Sequence, residues 1–179
     1  MSVLNVPLNI KLHANQQHVH DTARRFNVLL CGKRWGKSKL ALFRAVQKAG
    51  RTPNGVIWIL SPTYRQSKQI HWWELMRLIP PQLIRRKIET ELLIELWNGC
   101  RIQLIGADSE DNLRGPKLDH IVMDEAAYVK DHVWSSILSG QLLGNAEQGA
   151  GTADFISSPS RTGKNWFSAF HSDAKKKME

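Results

Sequence analysis

The stretch Gly32-Lys33-Arg34-Trp35-Gly36-Lys37-Ser38 lies between a short apolar run and an amphipathic segment. The apolar run, 26–31 (FNVLLC), predicts a buried strand that ends at Gly32. The segment 37–49 carries apolar residues at near-helical spacing, and Gly50 after it predicts the point where a helix stops. A glycine-containing turn that joins a strand to a helix is the strongest indication of the fold in this sequence.

The composition of this turn suits a bound phosphate chain. Glycine lets the backbone approach a ligand closely, and the first N–H groups of a helix converge on an anion. Lys37 is placed to reach the β- and γ-phosphate oxygens, and the hydroxyl of Ser38 is placed to hold Mg²⁺. The usual spacing has its first glycine at position 31, where this chain has Cys31, so the motif is a variant.

The alternative is a basic turn that only caps a helix, with Lys33 and Arg34 solvated and Trp35 packed. A second motif favours phosphate binding. Residues 118–125 (LDHIVMDE) form an apolar run that ends in two acids, the layout in which one acid holds Mg²⁺ and the next polarises an attacking water. Acid pairs after strands also cap helices, so the inference depends on both motifs together. They predict a P-loop protein that binds a nucleoside triphosphate together with Mg²⁺.

The rest of the chain alternates between strand-like and helix-like segments. The predicted strands are 26–31, 56–60, 121–123 and 155–157. The predicted helices are 37–49, 65–78, 131–143 and 163–171. Asn98-Gly99 between the apolar runs 91–96 and 101–105 predicts a β-hairpin. Apolar strands separated by helices favour an α/β fold with a mainly parallel central sheet and helices on both faces.

Charge favours a polyanionic partner. The 179 residues include 25 Lys and Arg against 16 Asp and Glu, a net charge of +9, which favours nucleic acid over a membrane surface. Basic residues cluster at 24–25, 85–87 and 175–177, where each cluster fits a solvated surface at least as well as a DNA groove. Most of the seven tryptophans lie in core-like patterns, which favours packing over base stacking.

Other classes of protein are disfavoured. No stretch approaches the ~20 apolar residues of a membrane span, and the N-terminus lacks the pattern of a signal peptide, so we expect no membrane association. Cys31 and Cys100 match no zinc spacing and are expected to be reduced.

Together these motifs resemble the ATPase domain of the large terminase subunit, the DNA-packaging motor of tailed bacteriophages and prophages. In the turn 32–38, the basic residue Lys33 lies four positions before Lys37, as in that family. The other segments that carry the resemblance are the glutamine motif 12–17 (LHANQQ), 61–64 (SPTY), 112–115 (NLRG), the acids at 124–125, and 157–160 (SSPS) with 163–165 (GKN). They follow one another in the family's order.

The resemblance implies a role for each matching residue. The implied ATP-binding residues are Gln16, which would contact adenine, and Gly32, Lys33, Arg34, Trp35, Gly36, Lys37 and Ser38. The implied metal ligands are Ser38 and Asp124, and the implied catalytic residues are Glu125 as the carboxylate, together with Lys37, Lys33 and Arg114. The implied coupling residues, which link hydrolysis to movement, are Ser157, Ser158 and Pro159.

Two basic residues are candidates for the finger that neutralises charge in phosphoryl transfer. Lys33 would act in cis from the loop. Arg114 would act in trans on the nucleotide of a neighbouring subunit and is the preferred candidate. The alternative for Arg114 is a loop arginine paired with Asp108, Glu110 or Asp111.

The resemblance further implies that Mg-ATP hydrolysis drives double-stranded DNA into a procapsid, in the bacterial host cytoplasm and transiently at the portal. The implied partners are DNA, the portal protein, the small terminase subunit and further copies in a ring, with the isolated domain a monomer. Large terminases continue into a nuclease domain, so we expect residues 1–179 to form an ATPase domain without nuclease activity. The alternatives are a superfamily-2-like helicase, since 124–127 (DEAA) resembles a DExx box, and a non-catalytic remnant that binds DNA or portal.

Overall fold

The computed structural model describes residues 8, 10–144, 149–159 and 165–176. In this part of the chain the strands are β1 (Phe26–Leu30), β2 (Val56–Ser61), β3 (Ile84–Ile88), β4 (Leu93–Leu96), β5 (Arg101–Gly106), β6 (His120–Asp124) and β7 (Thr152–Ser157). The α-helices are α1 (Ala14–Asp21), α2 (Lys37–Arg51), α3 (Tyr64–Ser67), α4 (Trp73–Leu78), α5 (Ser139–Gln141) and α6 (Trp166–Lys176). Lys68–Trp72 and Val133–Leu138 are π-helical, and Pro81–Leu83, Glu110–Leu113 and Ala126–Tyr128 are short 3₁₀-helices.

The strands form one sheet of seven in the described part of the chain, in the order β1-β7-β6-β2-β5-β4-β3. The neighbours from β1 through β5 are all parallel. Strands β4 and β3 are added antiparallel at one edge. Gly99, with φ of 81°, makes the tight turn between β4 and β5, and its N–H donates to the carbonyl of Leu96 at 2.8 Å. The predicted mainly parallel sheet and the predicted hairpin are therefore confirmed.

Helices cover both faces of the sheet, as predicted. Along β2, Ile57 and Ile59 face a core cluster that includes Trp72 and Leu75 from the helical segment 64–78. Trp58 and Leu60 face the opposite cluster, which contains Val133, Leu138 and Phe167. Successive residues of a strand point to opposite faces of the sheet. Because both sets are buried in β2, the strand is packed on both sides, which explains why its sequence is apolar throughout.

Helix α2 runs one residue beyond the predicted stop at Gly50. The reason is the cap that follows it: the hydroxyl of Thr52 donates to the carbonyl of Lys48 at 2.8 Å, and its N–H donates to the carbonyl of Ala49 at 3.3 Å. The prediction that Gly50 ends the helix is therefore wrong by one residue.

The first two residues of the last predicted helix, 163–171, lie outside the described residues. Helix α6 starts at Trp166 because Asn165 caps it: the Asn165 side chain accepts from the N–H of Ser168 at 2.9 Å, and the Ser168 hydroxyl accepts from the N–H of Asn165 at 3.0 Å. The helix continues to Lys176.

One α-helix and one strand were not predicted. Helix α1 has few apolar residues, and β3 (IRRKI) was interpreted only as a basic cluster. Strand β3 lies at the sheet edge, where its exposed charges disfavour pairing with another chain. Arg85 pairs with Glu95 at 3.1 Å.

The tryptophans divide into two groups. Trp58 and Trp72 are buried, and Trp134 and Trp166 pack against the core, as predicted. Trp73 and Trp97 are 60% and 58% exposed, so these two are not part of the core. Within the described residues, no helix is both long enough and apolar enough to cross a bilayer.

Candidate functional site

The predicted motifs meet at one edge of the sheet. Strand β1 leads into the turn 32–36, and the adjacent strands β7 and β6 end at Ser157 and Asp124. Because β1, β7 and β6 are parallel, their carboxyl ends lie side by side. In parallel α/β sheets, ligands bind at this edge.

The turn has the backbone that a phosphate loop needs. Gly36 is the N-cap of α2 and has φ of 87°, and Arg34 has φ of 64°. A Cβ at position 36 would lie 2.5 Å from Nε2 of Gln16. The backbone angle therefore favours glycine at position 36, and a side chain there would displace the Gln16 amide.

Helix α1 packs its first residues against this turn. The amide of Gln16 donates to the carbonyl of Gly36 at 3.1 Å, and its oxygen accepts from the N–H of His13 at 3.1 Å. Nε2 of His13 donates to the carbonyl of Trp35 at 3.2 Å, and the two rings meet edge to face. Gln16 is therefore placed at the turn, with both polar groups of its amide engaged inside the protein. That it contacts adenine stays a prediction.

Ser38 and Asp124 lie together, as expected for metal ligands. The Ser38 hydroxyl donates to Oδ2 of Asp124 at 3.1 Å and lies 3.3 Å from Oδ1. A hydroxyl and a carboxylate are oxygen ligands of the type that Mg²⁺ prefers. The described residues contain no group of three or more His, Cys, Asp or Glu that could hold an ion by themselves. Mg²⁺ is usually held by one or two protein oxygens together with phosphate oxygens and water, and the pair fits this pattern.

Glu125 is joined to Lys37 and to the end of β7. Lys37 Nζ donates to the hydroxyl of Ser158 at 2.9 Å and lies 3.6 Å from Oε1 of Glu125. Oε2 of Glu125 accepts from the Ser157 hydroxyl at 3.2 Å and from the Ser158 N–H at 3.3 Å. Glu125 itself has φ of 50°, an uncommon left-handed conformation of the kind that concentrates at active sites. The predicted lysine, acid and coupling serines thus form one cluster.

The third implied coupling residue is Pro159, and the GKN segment that follows in the resemblance is only partly described. Pro159 is exposed. Asn165 donates from its side chain to the carbonyl of Ala127 at 3.3 Å, two residues after Glu125. Gly163 and Lys164 lie outside the described residues.

The two finger candidates do not join this cluster. Lys33 is exposed on the turn. Arg114 is exposed beside an open cleft of about 680 Å³ at the carboxyl ends of β2 and β5, several strands away from β1. The alternative pairing of Arg114 is not formed among the described residues. Glu110 instead pairs with Lys130 at 3.1 Å and with His132 at 2.9 Å.

Two buried polar contacts were missed, of which the first lies at the site. Nε2 of His71 lies 2.9 Å from Oδ2 of Asp124, and the His71 side chain is 1% exposed. The spacing of His71, Leu75 and Leu78 on one helical face was the signal that places residue 71 inside. Arg44 of α2 makes two hydrogen bonds to the buried Asp154 of β7, at 2.7 and 3.0 Å.

The fold and the site define a P-loop protein: a strand, a glycine-containing turn and a helix that starts with Lys37 and Ser38, beside a strand that ends in two acids. A family model described as terminase large subunit, T4likevirus-type, N-terminal, matches residues 28–177, and the chain therefore belongs to the large terminase family. This confirms the resemblance and the P-loop NTPase fold.

Curated relatives agree with this assignment. The terminase large subunits of Thermus phage G20c and Thermus virus P23-45 are each 30% identical to this chain over an alignment 184 positions long, which covers 91% of this chain. The chain spans about a third of their length, 36% in each case.

Solved structures have the same fold. The ATPase domain of the large terminase from Thermus phage P74-26 matches 91% of this chain and 70% of its own, with a TM-score of 0.78 and 27% identity. The large terminase of bacteriophage HK97 matches 95% of this chain and 38% of its own, with a TM-score of 0.76. Its 13% identity supports likeness of fold alone.

Proposed function

We propose that this chain is the ATPase motor domain of a packaging machine that hydrolyses Mg-ATP to move double-stranded DNA into a procapsid. The observation that carries the proposal is the convergence of Lys37, Ser38, Asp124 and Glu125 at one edge of the sheet. A relative with the same fold is described as a large terminase ATPase domain. The net charge of +9 suits a DNA partner.

The phosphate chain would bind in the turn 32–36, at the N-terminus of α2. Backbone N–H groups and the helix dipole favour negative charge there. Lys37 is 7% exposed and pairs with Glu125 across 3.6 Å. A bound phosphate chain offers Lys37 more negative charge than one carboxylate does. Nucleotide binding therefore draws Lys37 toward the phosphates and releases Glu125 for the reaction.

Ser38 and Asp124 would hold Mg²⁺ together with phosphate oxygens, and the ion would neutralise charge on the phosphates. Glu125 would orient the attacking water and accept its proton. The Ser157 hydroxyl and the Ser158 N–H fix this carboxylate, so a change in its contacts is transmitted to the end of β7. This link supports the coupling role of Ser157, Ser158 and Pro159.

Arg114 would complete the site of a neighbouring subunit in a ring. Its exposure and its position beyond β5 make it available to a neighbour rather than to its own nucleotide. The homo-oligomeric ring, the portal protein and the small terminase subunit are the partners that this role implies.

The test is phosphate release from Mg-ATP by the wild type, Lys37→Ala and the matched control Lys39→Ala, combined with nucleotide binding. Lys39 lies two residues further along α2 and is exposed. We expect Lys37→Ala to abolish turnover and to weaken binding, whereas Lys39→Ala behaves as the wild type. Equal turnover by all three proteins, or no nucleotide binding by the wild type, would contradict the proposal.

A further inference from the structure

His71 is a buried histidine that the proposed reaction does not use. Its side chain is 1% exposed, and its Nε2 lies 2.9 Å from Oδ2 of Asp124. The distance is that of a hydrogen bond, but the direction is not, and neither ring nitrogen has another partner within the described residues. Burying polar nitrogens without good partners costs free energy, so such a group calls for an explanation.

The explanation lies in how Asp124 is held. Its Oδ1 accepts from the N–H of Glu125 at 3.0 Å, whereas Oδ2 faces both the Ser38 hydroxyl at 3.1 Å and His71. If Ser38 turns its oxygen to a metal ion, its hydrogen bond to Asp124 is lost. His71 and the Glu125 N–H then remain, one on each carboxylate oxygen, to fix the orientation of Asp124.

We propose that His71 is a positioning residue of the nucleotide-bound metal site: it holds the Asp124 carboxylate in the orientation that binds Mg²⁺. The proposal rests on the proposed function, in which Asp124 is a metal ligand. Ligands of metal ions are commonly oriented by such outer partners, whose loss weakens metal binding by roughly 10–100-fold.

The local structure supports a specific placement of this ring. His71 lies in the π-helical turn Lys68–Trp72, between α3 and α4. A π-helical turn changes the rotation between the side chains before and after it, and such turns are frequent at functional sites. Ile70 and Trp73 are 47% and 60% exposed, whereas His71 and Trp72 are buried, so the turn directs the imidazole inward together with the Trp72 ring.

A second buried histidine, His120, has different surroundings, although its Nε2 also has no hydrogen-bond partner among the described residues. His120 is 2% exposed, and its Nδ1 is 2.8 Å from the hydroxyl of Thr152. The nearby Asp154 is already neutralised by Arg44. Asp124 has no arginine partner of this kind. Among the described residues, His71 is the sole basic side chain within ion-pair distance of Asp124.

The test is calorimetric binding of the non-hydrolysable ATP analogue AMP-PNP, measured in EDTA and across a range of Mg²⁺ concentrations. The variants are His71→Leu, His71→Gln and the matched control His120→Gln. We expect His71→Leu to bind AMP-PNP as the wild type does in EDTA and to lose about 10–100-fold of the affinity that Mg²⁺ adds. His71→Gln, whose amide can donate to Oδ2, should recover part of that loss, and His120→Gln should lose none.

The outcomes separate the two proposals. If Mg²⁺ raises the AMP-PNP affinity of His71→Leu as much as that of the wild type, the positioning role is overturned. An equal loss of AMP-PNP affinity with and without Mg²⁺ indicates a structural role and also overturns it. If His71→Leu does not fold, the same comparison is made with His71→Gln, for which a gain below that of the wild type supports the role and an unchanged gain overturns it. A wild type that gains nothing from Mg²⁺ contradicts the proposed metal site itself.

Discussion

Lys37 Nζ lies 3.6 Å from Oε1 of Glu125, and the Ser158 hydroxyl bridges the two side chains. The residue expected to bind phosphate and the residue expected to activate water therefore neutralise each other in the absence of nucleotide. We expect nucleotide binding to remove this contact and so to change the environment of Glu125 and of the serines at the end of β7. Nucleotide binding and catalysis would then be linked through Glu125.

The turn should not tolerate a side chain at position 36. Gly36→Ala places a Cβ 2.5 Å from Gln16 Nε2 on a backbone with φ of 87°, so we expect it to lower the free energy of unfolding by about 1–3 kcal/mol. Urea denaturation without nucleotide measures this change. Gly32→Ala is the matched control, because its Cβ meets nothing within 4 Å. Equal stability of the two variants would show that the close approach of Gln16 is not a constraint.

Arg114 should act on the nucleotide of a neighbouring subunit. We expect Arg114→Ala to lower ATP turnover by about 10³-fold or more without weakening nucleotide binding. The exposed Arg86 on the edge strand β3 provides the control, Arg86→Ala. Mixing Arg114→Ala with Lys37→Ala should restore part of the activity, because one protein contributes the nucleotide site and the other contributes the finger.

Two results would count against this role of Arg114. Full activity of Arg114→Ala alone would assign the finger to Lys33 in cis. Loss of activity that mixing does not restore, at any protein concentration, would show that Arg114 does not act across a subunit boundary.

Stability should fall on mild acidification. Burial lowers the pKa of His120, and the nearby cations Arg44 and Lys48 lower it further, although Asp154 opposes them. The folded protein therefore binds fewer protons than the unfolded chain, whose histidine has its ordinary pKa of 6.5. The free energy of unfolding should be highest above pH 6.5 and should decrease as the pH falls below it.

The measurement is urea denaturation at a series of pH values for the wild type and His120→Gln. We expect the variant to lose less stability between neutral and acidic pH than the wild type does, because it lacks this titrating group. Parallel curves would show that His120 does not contribute to the acid sensitivity.

The sequence alone predicted the parts of the site that are local. A strand, a glycine-containing turn and a helix are contiguous at 26–51, and the two acids follow their own strand directly. Each pattern can be recognised from its own segment of sequence alone. Their meeting at one edge follows from the rule that parallel strands align their carboxyl ends.

Contacts between distant segments could not be predicted in this way. The hydrogen bond from Gln16 to Gly36 spans 20 residues, and the one from Arg44 to Asp154 spans 110. His71 was not predicted to be buried, and its contact with Asp124 depends on the order of the strands. Helix α1 was missed because it is held by the capping contacts of His13 and by packing on α2 rather than by an apolar stripe.

The central claim is that Glu125 is the catalytic carboxylate. It is tested most directly by measuring nucleotide binding and turnover separately in Glu125→Gln. The variant removes the charge that pairs with Lys37 and the base that activates water, while Ser38 and Asp124 are unchanged. AMP-PNP binding and phosphate release are measured on the same protein, with the exposed Glu89→Gln as control. The account predicts that Glu125→Gln binds the analogue at least as tightly as the wild type and loses about 10²–10⁴-fold in turnover. Normal turnover by Glu125→Gln, or a loss of turnover explained entirely by lost binding, would contradict the assignment of Glu125 as the catalytic carboxylate.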